Sequence, residues 1–264
     1  DNPLLIDLLR QLNRTFSKIG NDFFVIGATA RDIILQVLAD TSARRKTRDL
    51  DIAIAVPDWN KYNEICKALI DDGFEKSTHQ AQRFYYGAYE VDIVPYGAVA
   101  KADDIIYWPP EETIAMSVKG FDEVLREAIT VCVDNEFEIK IASLHGLFLL
   151  KLNAWLDRNI GTNKDAEDMW YIVDNYYFAN EVYELEHFDL TVGGAYWMAH
   201  DIADILDNEQ LIYYRDILAK EASLEEESRL VIQILETHRT LALDDVVRVL
   251  NTIADVFNKR ISDD

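Results

Sequence analysis

The chain has 264 residues, 49% of them hydrophobic, which is enough for a substantial core in one large domain or two smaller ones. Its 26 basic and 48 acidic residues give a net charge of −22, which repels a polyphosphate backbone, so broad nucleic-acid binding is not expected. The two cysteines lack CxxC spacing, so no disulfide is expected. No apolar stretch approaches the roughly 20 residues that cross a bilayer, so no membrane span is expected. Together with the lack of an export signal, these features predict a cytoplasmic protein.

The pattern changes character about halfway along the chain. Six short runs rich in β-branched and aromatic residues, bounded by Gly, Pro or Asp-Asn, predict strands over 23–26, 50–56, 84–86, 89–94, 129–133 and 137–141. Apolar residues at three- and four-residue spacing predict helices over 30–38, 61–71, 144–158, 165–177, 194–206, 209–220, 224–240 and 243–258. This order predicts an α+β or α/β head with a mixed β-sheet and flanking helices over residues 1–142, followed by an all-helical C-terminal bundle over residues 143–264.

Three carboxylates in the head are spaced as metal ligands would be. Alternate side chains of a strand share a face, so Asp49 and Asp51 project to the same side with their Cα atoms about 7 Å apart. Asp92 supplies a third carboxylate on a later strand. Mg²⁺ prefers oxygen ligands and keeps water and substrate phosphate in its other positions. We therefore predict a site for two Mg²⁺ ions on Asp49, Asp51 and Asp92, with Asp92 as the base that deprotonates an incoming hydroxyl.

A small-residue turn precedes these carboxylates. Gly27 follows an apolar strand and precedes a helix, where backbone N–H groups and the helix N-terminus can approach phosphate. Thr29 would add a hydroxyl contact. Each feature alone has an ordinary explanation, a turn for Gly27 and two solvated charges for the Asp-x-Asp pair. Their order along the chain, with Asp92 on a third strand, favours a functional site.

This combination resembles the nucleotidyltransferase superfamily related to DNA polymerase beta. That pattern is a strand, Gly-Gly or Gly-Ser, a helix, an Asp-x-Asp strand and a third acidic strand. The resemblance implies NTP as substrate, Mg²⁺ as cofactor, and a nucleotide-binding region formed by Gly27, Ala28, Thr29, Arg31 and Arg48. The chain departs from the pattern at Ala28, where many members have Ser or Gly, and in a longer segment before Asp49. That segment contains the basic stretch 42–48, which is either a solvated loop or an attractor for polyphosphate or RNA.

The second half resembles the helical portion of the AbiEii-type (AbiEii/AbiGii) nucleotidyltransferases, a group that includes toxins of toxin–antitoxin pairs. The residues that carry this resemblance are 143–158 and 164–168, with 106–110 and 193–201 as further matches. In that family a lysine and an acidic residue of the next helix belong to the active site, which implies this role for Lys151 and for Asp165 or Asp168. An antitoxin protein is an implied partner.

The residues themselves agree that Lys151 is unusual. Lys151 and Arg158 share one stripe of a helix with apolar residues, so the lysine either extends outward to solvent or meets a phosphate or carboxylate. We predict that Lys151 and Arg158 balance the charge of bound phosphate, and that Arg158 and Asp165 belong to the nucleotide-binding residues. Asp165 has an alternative role, since acidic residues in the first turn of a helix complement its dipole.

Other conspicuous residues have simpler explanations. The five histidines, at positions 79, 145, 187, 200 and 238, lack metal-binding spacing and are expected to be structural or exposed. Gly193 and Gly194 are expected to permit close helix packing, because no strand precedes them.

The sequence thus predicts transfer of a nucleoside monophosphate from NTP to an acceptor hydroxyl. The acceptor is tRNA in a toxin-like enzyme. Alternatively it is a small molecule, as in antibiotic-modifying relatives, which the acidic composition favours somewhat. A third interpretation is a catalytically silent nucleotide-binding or interaction protein of the same fold. Ala28 favours this interpretation, and the three acidic positions oppose it.

Overall fold

The computed structural model describes residues 2–39, 48–179, 189–225 and 227–261. Contacts among the described residues divide the chain into two compact units. The first comprises Asp1–Ile33 and Ala43–Ser143, and the second comprises Ile34–Ser42 and Leu144–Asp264. The predicted division instead puts residues 34–42 with the first half of the chain. The division into a domain of 1–142 and one of 143–264 stays a prediction.

The first unit contains a seven-stranded mixed sheet with flanking helices. Its elements are α1 (Pro3–Ile19), β1 (Phe24–Ile26), the start of α2 (Gly27–Ala39), β2 (Asp49–Ala55), α3 (Trp59–Asp71), β3 (Glu75–Lys76), β4 (Arg83–Tyr86), β5 (Tyr89–Tyr96), β6 (Ile105–Tyr107), β7 (Ala115–Ser117), α4 (Phe121–Arg126), β8 (Ile129–Val133) and β9 (Phe137–Ile141). The strand order is β3-β4-β5-β2-β1-β9-β8, and β6 and β7 form a separate hairpin. The sheet is mixed because β2 pairs parallel with β5 and antiparallel with β1, while β1 pairs parallel with β9.

Alternation along the central strands builds the core of this unit. In β2, Leu50, Ile52 and Ile54 are fully buried, whereas Asp49 is exposed and Asp51 partly exposed. This alternation fixes the register, because a slip of one residue would bury the carboxylates and expose the apolar side chains. The strand therefore places its carboxylates on one face and its apolar anchors on the other.

The second unit is helical. Besides the end of α2 it contains α5 (Leu144–Arg158), α6 (Lys164–Ala179), α7 (Leu190–Ala203), α8 (Asn208–Ser223), α9 (Arg229–Thr237) and α10 (Leu243–Arg260). The predicted α+β class with a mixed sheet followed by a helical C-terminal region is thus confirmed. Among the described residues, no helix combines the length and apolar character that a membrane crossing requires.

The sequence prediction differs from the structure at several elements. It misses α1, α4 and the short strands β3, β6 and β7, and it begins the ninth helix at Leu224 instead of Arg229. Leu224 adopts the left-handed conformation (φ 59°, ψ 16°) as the C-cap of α8. The Glu221 carboxylate then accepts a hydrogen bond from the backbone N–H of Leu230, one of the first donors of α9. Helical spacing therefore continues through a segment that in fact separates two helices.

Candidate active site

The carboxylates of the first unit lie on two adjacent parallel strands. Asp51 of β2 is the register partner of Asp92 of β5, and Asp49 is the partner of Glu90. Register partners of paired strands project to the same face, and adjacent strands lie about 4.8 Å apart. The face predicted to be common to Asp49, Asp51 and Asp92 is therefore present, and Glu90 shares it.

Asp51 packs directly against the turn at Gly27. Gly27 has φ +70°, and a Cβ atom built on it would lie 2.1 Å from the Asp51 carboxylate oxygen Oδ2. Real Cβ atoms do not come that close to another atom, so the absence of a side chain at residue 27 creates the space that this carboxylate fills. Strands β1 and β2 bring the two residues together, since Ile26 is the register partner of Asp51.

The residues after Gly27 are held by interactions within the first unit. The Thr29 hydroxyl, which is buried, donates a hydrogen bond of 2.7 Å to the backbone carbonyl of Asp49. The Arg31 side chain is only 7% exposed and donates from Nε to the Asp32 carboxylate at 2.8 Å. Thr29 thus connects the start of α2 to β2, and Arg31 is oriented toward Asp32. Their predicted contacts with nucleotide stay predictions.

Two further predicted nucleotide-binding residues are accessible. Ala28 is partly exposed, and Arg48 is exposed just before β2, where its backbone carbonyl accepts a hydrogen bond of 2.8 Å from the N–H of Glu90. The rest of the basic stretch, residues 42–47, lies outside the described residues.

Asp92 has a cationic partner that the sequence prediction missed. Arg83 of β4 is its register partner on the other side of β5. Its Nε donates to Asp92 Oδ1 at 2.7 Å, and its Nη2 donates to Oδ2 at 2.9 Å. These hydrogen bonds are the main reason that the pKa of Arg83 lies above its ordinary value. The carboxylate expected to bind metal and to act as a base therefore faces β4 and its guanidinium.

The carboxylates of Asp49, Asp51 and Asp92 are only partly arranged as ligands of a hard divalent cation. Among the residues that the structure describes, no three His, Cys, Asp or Glu side chains come close enough together to hold a metal ion. The Asp51 carboxylate lies against the Gly27 turn, and the Asp92 carboxylate is paired with Arg83 of β4. Asp49 and Asp51 still offer two carboxylates on one face beside a glycine turn, which fits magnesium's preference for one or two protein carboxylates.

The second unit contains a separate cluster of four charged residues. Lys151 Nζ lies 3.2 Å from Asp165 Oδ1 and 2.8 Å from Asp168 Oδ2. Arg158 donates from Nε to Asp165 Oδ2 at 2.7 Å and from Nη2 to Oδ1 at 2.8 Å. Of the two possibilities left open for Lys151, the structure thus shows a carboxylate partner. Lysine and arginine come from one face of α5, and both acids come from the start of α6.

Asp165 is the buried centre of this cluster. Its side chain is 1% exposed, whereas that of Arg158 is 56% exposed. Burial by itself would raise the pKa of Asp165, but hydrogen bonds from Arg158 and the charge of Lys151 outweigh it and hold the pKa below its ordinary value. Asp165 is therefore an ionised acceptor for two cations as well as a residue of the first turn of α6. The active-site role that the resemblance implies for Lys151 and for Asp165 or Asp168, and the nucleotide contact predicted for Arg158, stay predictions.

Other conspicuous residues have structural partners. The Tyr176 hydroxyl donates to the Asp201 carboxylate and lies 3.2 Å from His145 Nδ1. Cys66 is buried and Cys132 exposed, both as free thiols. His187 lies outside the described residues.

The fold of the first unit, with a strand, a glycine turn, a helix and an Asp-x-Asp strand in a mixed sheet, is that of the nucleotidyltransferases. A family model described as "Nucleotidyl transferase AbiEii toxin, Type IV TA system" matches residues 8–252. Since this match spans most of the chain, the protein belongs to the AbiEii family. The resemblance inferred from the sequence is confirmed.

The solved structures that the chain resembles are distant. The solution structure of the antibiotic-resistance factor ANT(2'')-Ia is 9% identical, with 91% of this chain and 94% of that chain covered and a TM-score of 0.38. The crystal structure of ANT(2'')-Ia in complex with adenylyl-2''-tobramycin is 11% identical, with 98% and 99% covered and a TM-score of 0.37. JHP933 from Helicobacter pylori is 12% identical, with 97% and 90% covered and a TM-score of 0.38. No curated protein matches the chain. At these values the likenesses support no inference about substrate.

Proposed function

We propose that this protein is a Mg²⁺-dependent nucleotidyltransferase that moves a nucleoside monophosphate from an NTP to an acceptor hydroxyl and releases pyrophosphate. The observation that supports this most directly is the pairing of Asp51 with Asp92 on adjacent parallel strands, with the Asp51 carboxylate seated against Gly27. Membership of the AbiEii family gives the reaction class.

Four residues of the first unit have a proposed role in the reaction. Asp49 and Asp51 would hold one or two Mg²⁺ ions, with Asp92 as a third ligand that shares an ion with Asp51, and the ions would supply Lewis-acid stabilisation of the transferred phosphoryl group when bound. Gly27 keeps the turn free of a side chain, so that backbone N–H groups at the start of α2 can face the triphosphate. Asp92 would orient the acceptor hydroxyl and accept its proton at a carboxylate oxygen. Lys151 and Asp165 or Asp168 are proposed active-site residues because the family resemblance implies them, and Arg158, on the same helix face as Lys151, is proposed to balance phosphate charge with it.

Two arguments favour two different acceptors. The resemblance noted in the sequence implies tRNA as the acceptor, and the match to a toxin of a type IV toxin–antitoxin system supports an antitoxin protein as a partner. The net charge of −22 instead favours a neutral or cationic small molecule, because the protein repels a polyanion at distances within about 10 Å at ordinary salt. We propose tRNA as the first acceptor to test and an aminoglycoside as the second.

Radiolabelled NTPs test the reaction directly. Purified protein is incubated with each α-labelled NTP and Mg²⁺, together with total tRNA, an aminoglycoside or no added acceptor, and products are separated from free nucleotide. We expect one acceptor to gain label in the wild type, and Asp51→Asn to reduce that label at least about a hundredfold, since it removes charge at the metal site.

A matched substitution controls for the loss of one negative charge. Asp71 is exposed at the end of α3, so Asp71→Asn should leave labelling unchanged. Labelling that never exceeds that of Asp51→Asn would reject the transferase. NTP binding without turnover would then support the silent nucleotide-binding protein that Ala28 suggests.

A further inference from the structure

Arg83 forms a bidentate pair with the carboxylate of Asp92. Both Asp92 oxygens accept hydrogen bonds from the guanidinium, and the third nitrogen, Nη1, lies 2.5 Å from Glu90 Oε2. The Arg83 and Asp92 side chains are 23% and 19% exposed, so the pair is partly shielded from water. A bidentate pair of this kind is stronger and more directional than a single ionic contact.

This arrangement places a positive charge where a metal ligand is proposed. A divalent cation shared by Asp51 and Asp92 would lie close to the guanidinium and would compete with it for the same two oxygens. Cation and guanidinium also repel each other, and that repulsion is strong where water is partly excluded. A cation that uses the oxygen lone pairs now taken by the guanidinium can therefore bind Asp92 only when Arg83 moves away.

Glu90 gives Arg83 an alternative partner. It lies two residues before Asp92 on the same face of β5, and it already contacts one guanidinium nitrogen. The Glu90 side chain is 40% exposed, so it is the more hydrated of the two carboxylates. A shift of Arg83 toward Glu90 would free Asp92 and still leave the guanidinium paired.

We propose that Arg83 is a positioning residue that holds Asp92 until a divalent cation replaces it, and that Glu90 then retains the displaced guanidinium. The inference rests on the proposed function in one respect, namely that Asp51 and Asp92 share a metal ion. It adds an exchange of Arg83 for metal at Asp92, which makes the third carboxylate available only when the cation is present.

Metal binding without nucleotide tests the exchange. Mn²⁺ binding is measured from the electron paramagnetic resonance signal of free Mn²⁺ in the wild type, Arg83→Gln, Arg83→Lys and Arg10→Gln. We expect Arg83→Gln to bind Mn²⁺ on the order of tenfold more tightly, because no bidentate pair has to be broken. Arg83→Lys should bind about threefold more tightly, because an ammonium keeps the charge but lacks the paired geometry.

Arg10→Gln is the matched control. Arg10 belongs to the same unit and pairs with Asp134 and Glu136 at the surface, so the variant loses the same charge without affecting Asp92. It should bind Mn²⁺ as the wild type does. The proposal is overturned if Arg83→Gln binds no more tightly than Arg10→Gln, if Arg83→Lys equals the wild type while Arg83→Gln is tighter, or if no variant binds Mn²⁺. Circular dichroism melting establishes that each variant is folded at the titration temperature.

A double-mutant cycle tests the role of Glu90. Glu90→Gln alone should weaken Mn²⁺ binding, because Arg83 then has only Asp92 to pair with. In the Arg83→Gln background the same substitution should have a clearly smaller effect. Equal effects in both backgrounds would show that Glu90 acts through its charge alone and would overturn its part in the exchange.

The Mn²⁺ titrations and the labelling assay can fail separately. If no acceptor is ever labelled but Arg83→Gln still tightens Mn²⁺ binding, the proposed reaction is wrong and the exchange stands. If an acceptor is labelled but Arg83→Gln leaves Mn²⁺ binding unchanged, the exchange is wrong and the proposed reaction stands.

Discussion

Gly27 determines where the Asp51 carboxylate can lie. Its positive φ of +70° is a conformation that glycine adopts readily and that costs other residues about 1–2 kcal/mol. The 2.1 Å approach to Asp51 Oδ2 is a second and independent requirement for glycine. Residue 27 therefore links the chain's local conformation to the placement of Asp51, the proposed metal ligand.

Gly27→Ala should damage both stability and metal binding. We expect a loss of about 2–4 kcal/mol in the free energy of unfolding, from backbone strain together with displacement of the carboxylate. Mn²⁺ binding and NMP transfer should each fall on the order of tenfold or more, because Asp51 leaves its position. Urea unfolding and the two assays above measure these effects.

Gly20→Ala separates strain from displacement. Gly20 also has positive φ, +64°, but a Cβ atom there would have nothing within 4 Å. It should therefore cost only about 1–2 kcal/mol and leave Mn²⁺ binding unchanged. Equal metal binding by the two variants would contradict the steric account of Gly27.

Some site residues could be predicted from the sequence, whereas others depend on how strands pair and how helices pack. Asp49 and Asp51 follow from alternation within one strand, and Lys151 from its place in an apolar helical stripe. Arg83 could also have been found, because Gly87 and Ala88 form a two-residue turn that makes residue 83 the register partner of residue 92. The partners of Lys151, by contrast, depend on how α5 and α6 pack, which the spacing of residues within one helix does not determine.

At the scale of elements, α6 and α7 pack closely at a glycine. A Cβ atom built on Gly194 of α7 would lie 2.8 Å from the backbone carbonyl oxygen of Val173 and 3.2 Å from the backbone nitrogen of Tyr177, both in α6. Backbone atoms cannot rotate aside as a flexible side chain can. This confirms the expected packing role for Gly194, and it explains why glycine is tolerated at this position inside a helix.

Gly194→Ala should destabilise the second unit. The helices would have to separate by several tenths of an ångström, and overpacking of this kind typically costs about 1–3 kcal/mol, which exceeds the gain of up to about 1 kcal/mol from replacing a helical glycine by alanine. Thermal unfolding followed by circular dichroism measures the loss.

A second glycine of the same unit provides the comparison. A Cβ atom on Gly161 would meet only the Arg158 carbonyl oxygen at 3.8 Å, which is an ordinary contact, so Gly161→Ala should change stability by less than about 1 kcal/mol. If Gly194→Ala is as stable as Gly161→Ala, the close packing of α6 and α7 is not maintained in solution.

Element prediction was accurate where the apolar pattern is long. The helix over 144–158 and the strands over 129–133 and 137–141 match the structure at both ends. Strands β3, β6 and β7 have two or three residues, too few to show a period. Helix α1 is different, because buried Leu8, Leu12 and Phe16 repeat at four-residue spacing, and its pattern was readable although it was not predicted.

At the scale of the whole molecule, net charge gives a criterion for choosing between acceptors. A protein with a charge of −22 repels tRNA and attracts a cationic aminoglycoside, and added salt weakens both effects. A local basic patch would reverse the expectation for tRNA, because release of counterions makes such binding fall steeply with salt. The sign of the salt dependence thus distinguishes repulsion by the whole molecule from attraction by a patch.

We expect aminoglycoside binding to weaken as KCl is raised and tRNA binding to stay constant or strengthen. Titration calorimetry for the aminoglycoside and filter binding for tRNA, each over a KCl series at fixed Mg²⁺, measure the two dependences. Uncharged sucrose at matched osmolarity controls for effects other than ionic screening. A steep loss of tRNA binding with KCl would contradict the expectation and indicate a basic tRNA-binding patch on this acidic protein, for which the stretch 42–48 is the first candidate by composition. Loss of the salt dependence when that stretch is neutralised would identify it as the patch.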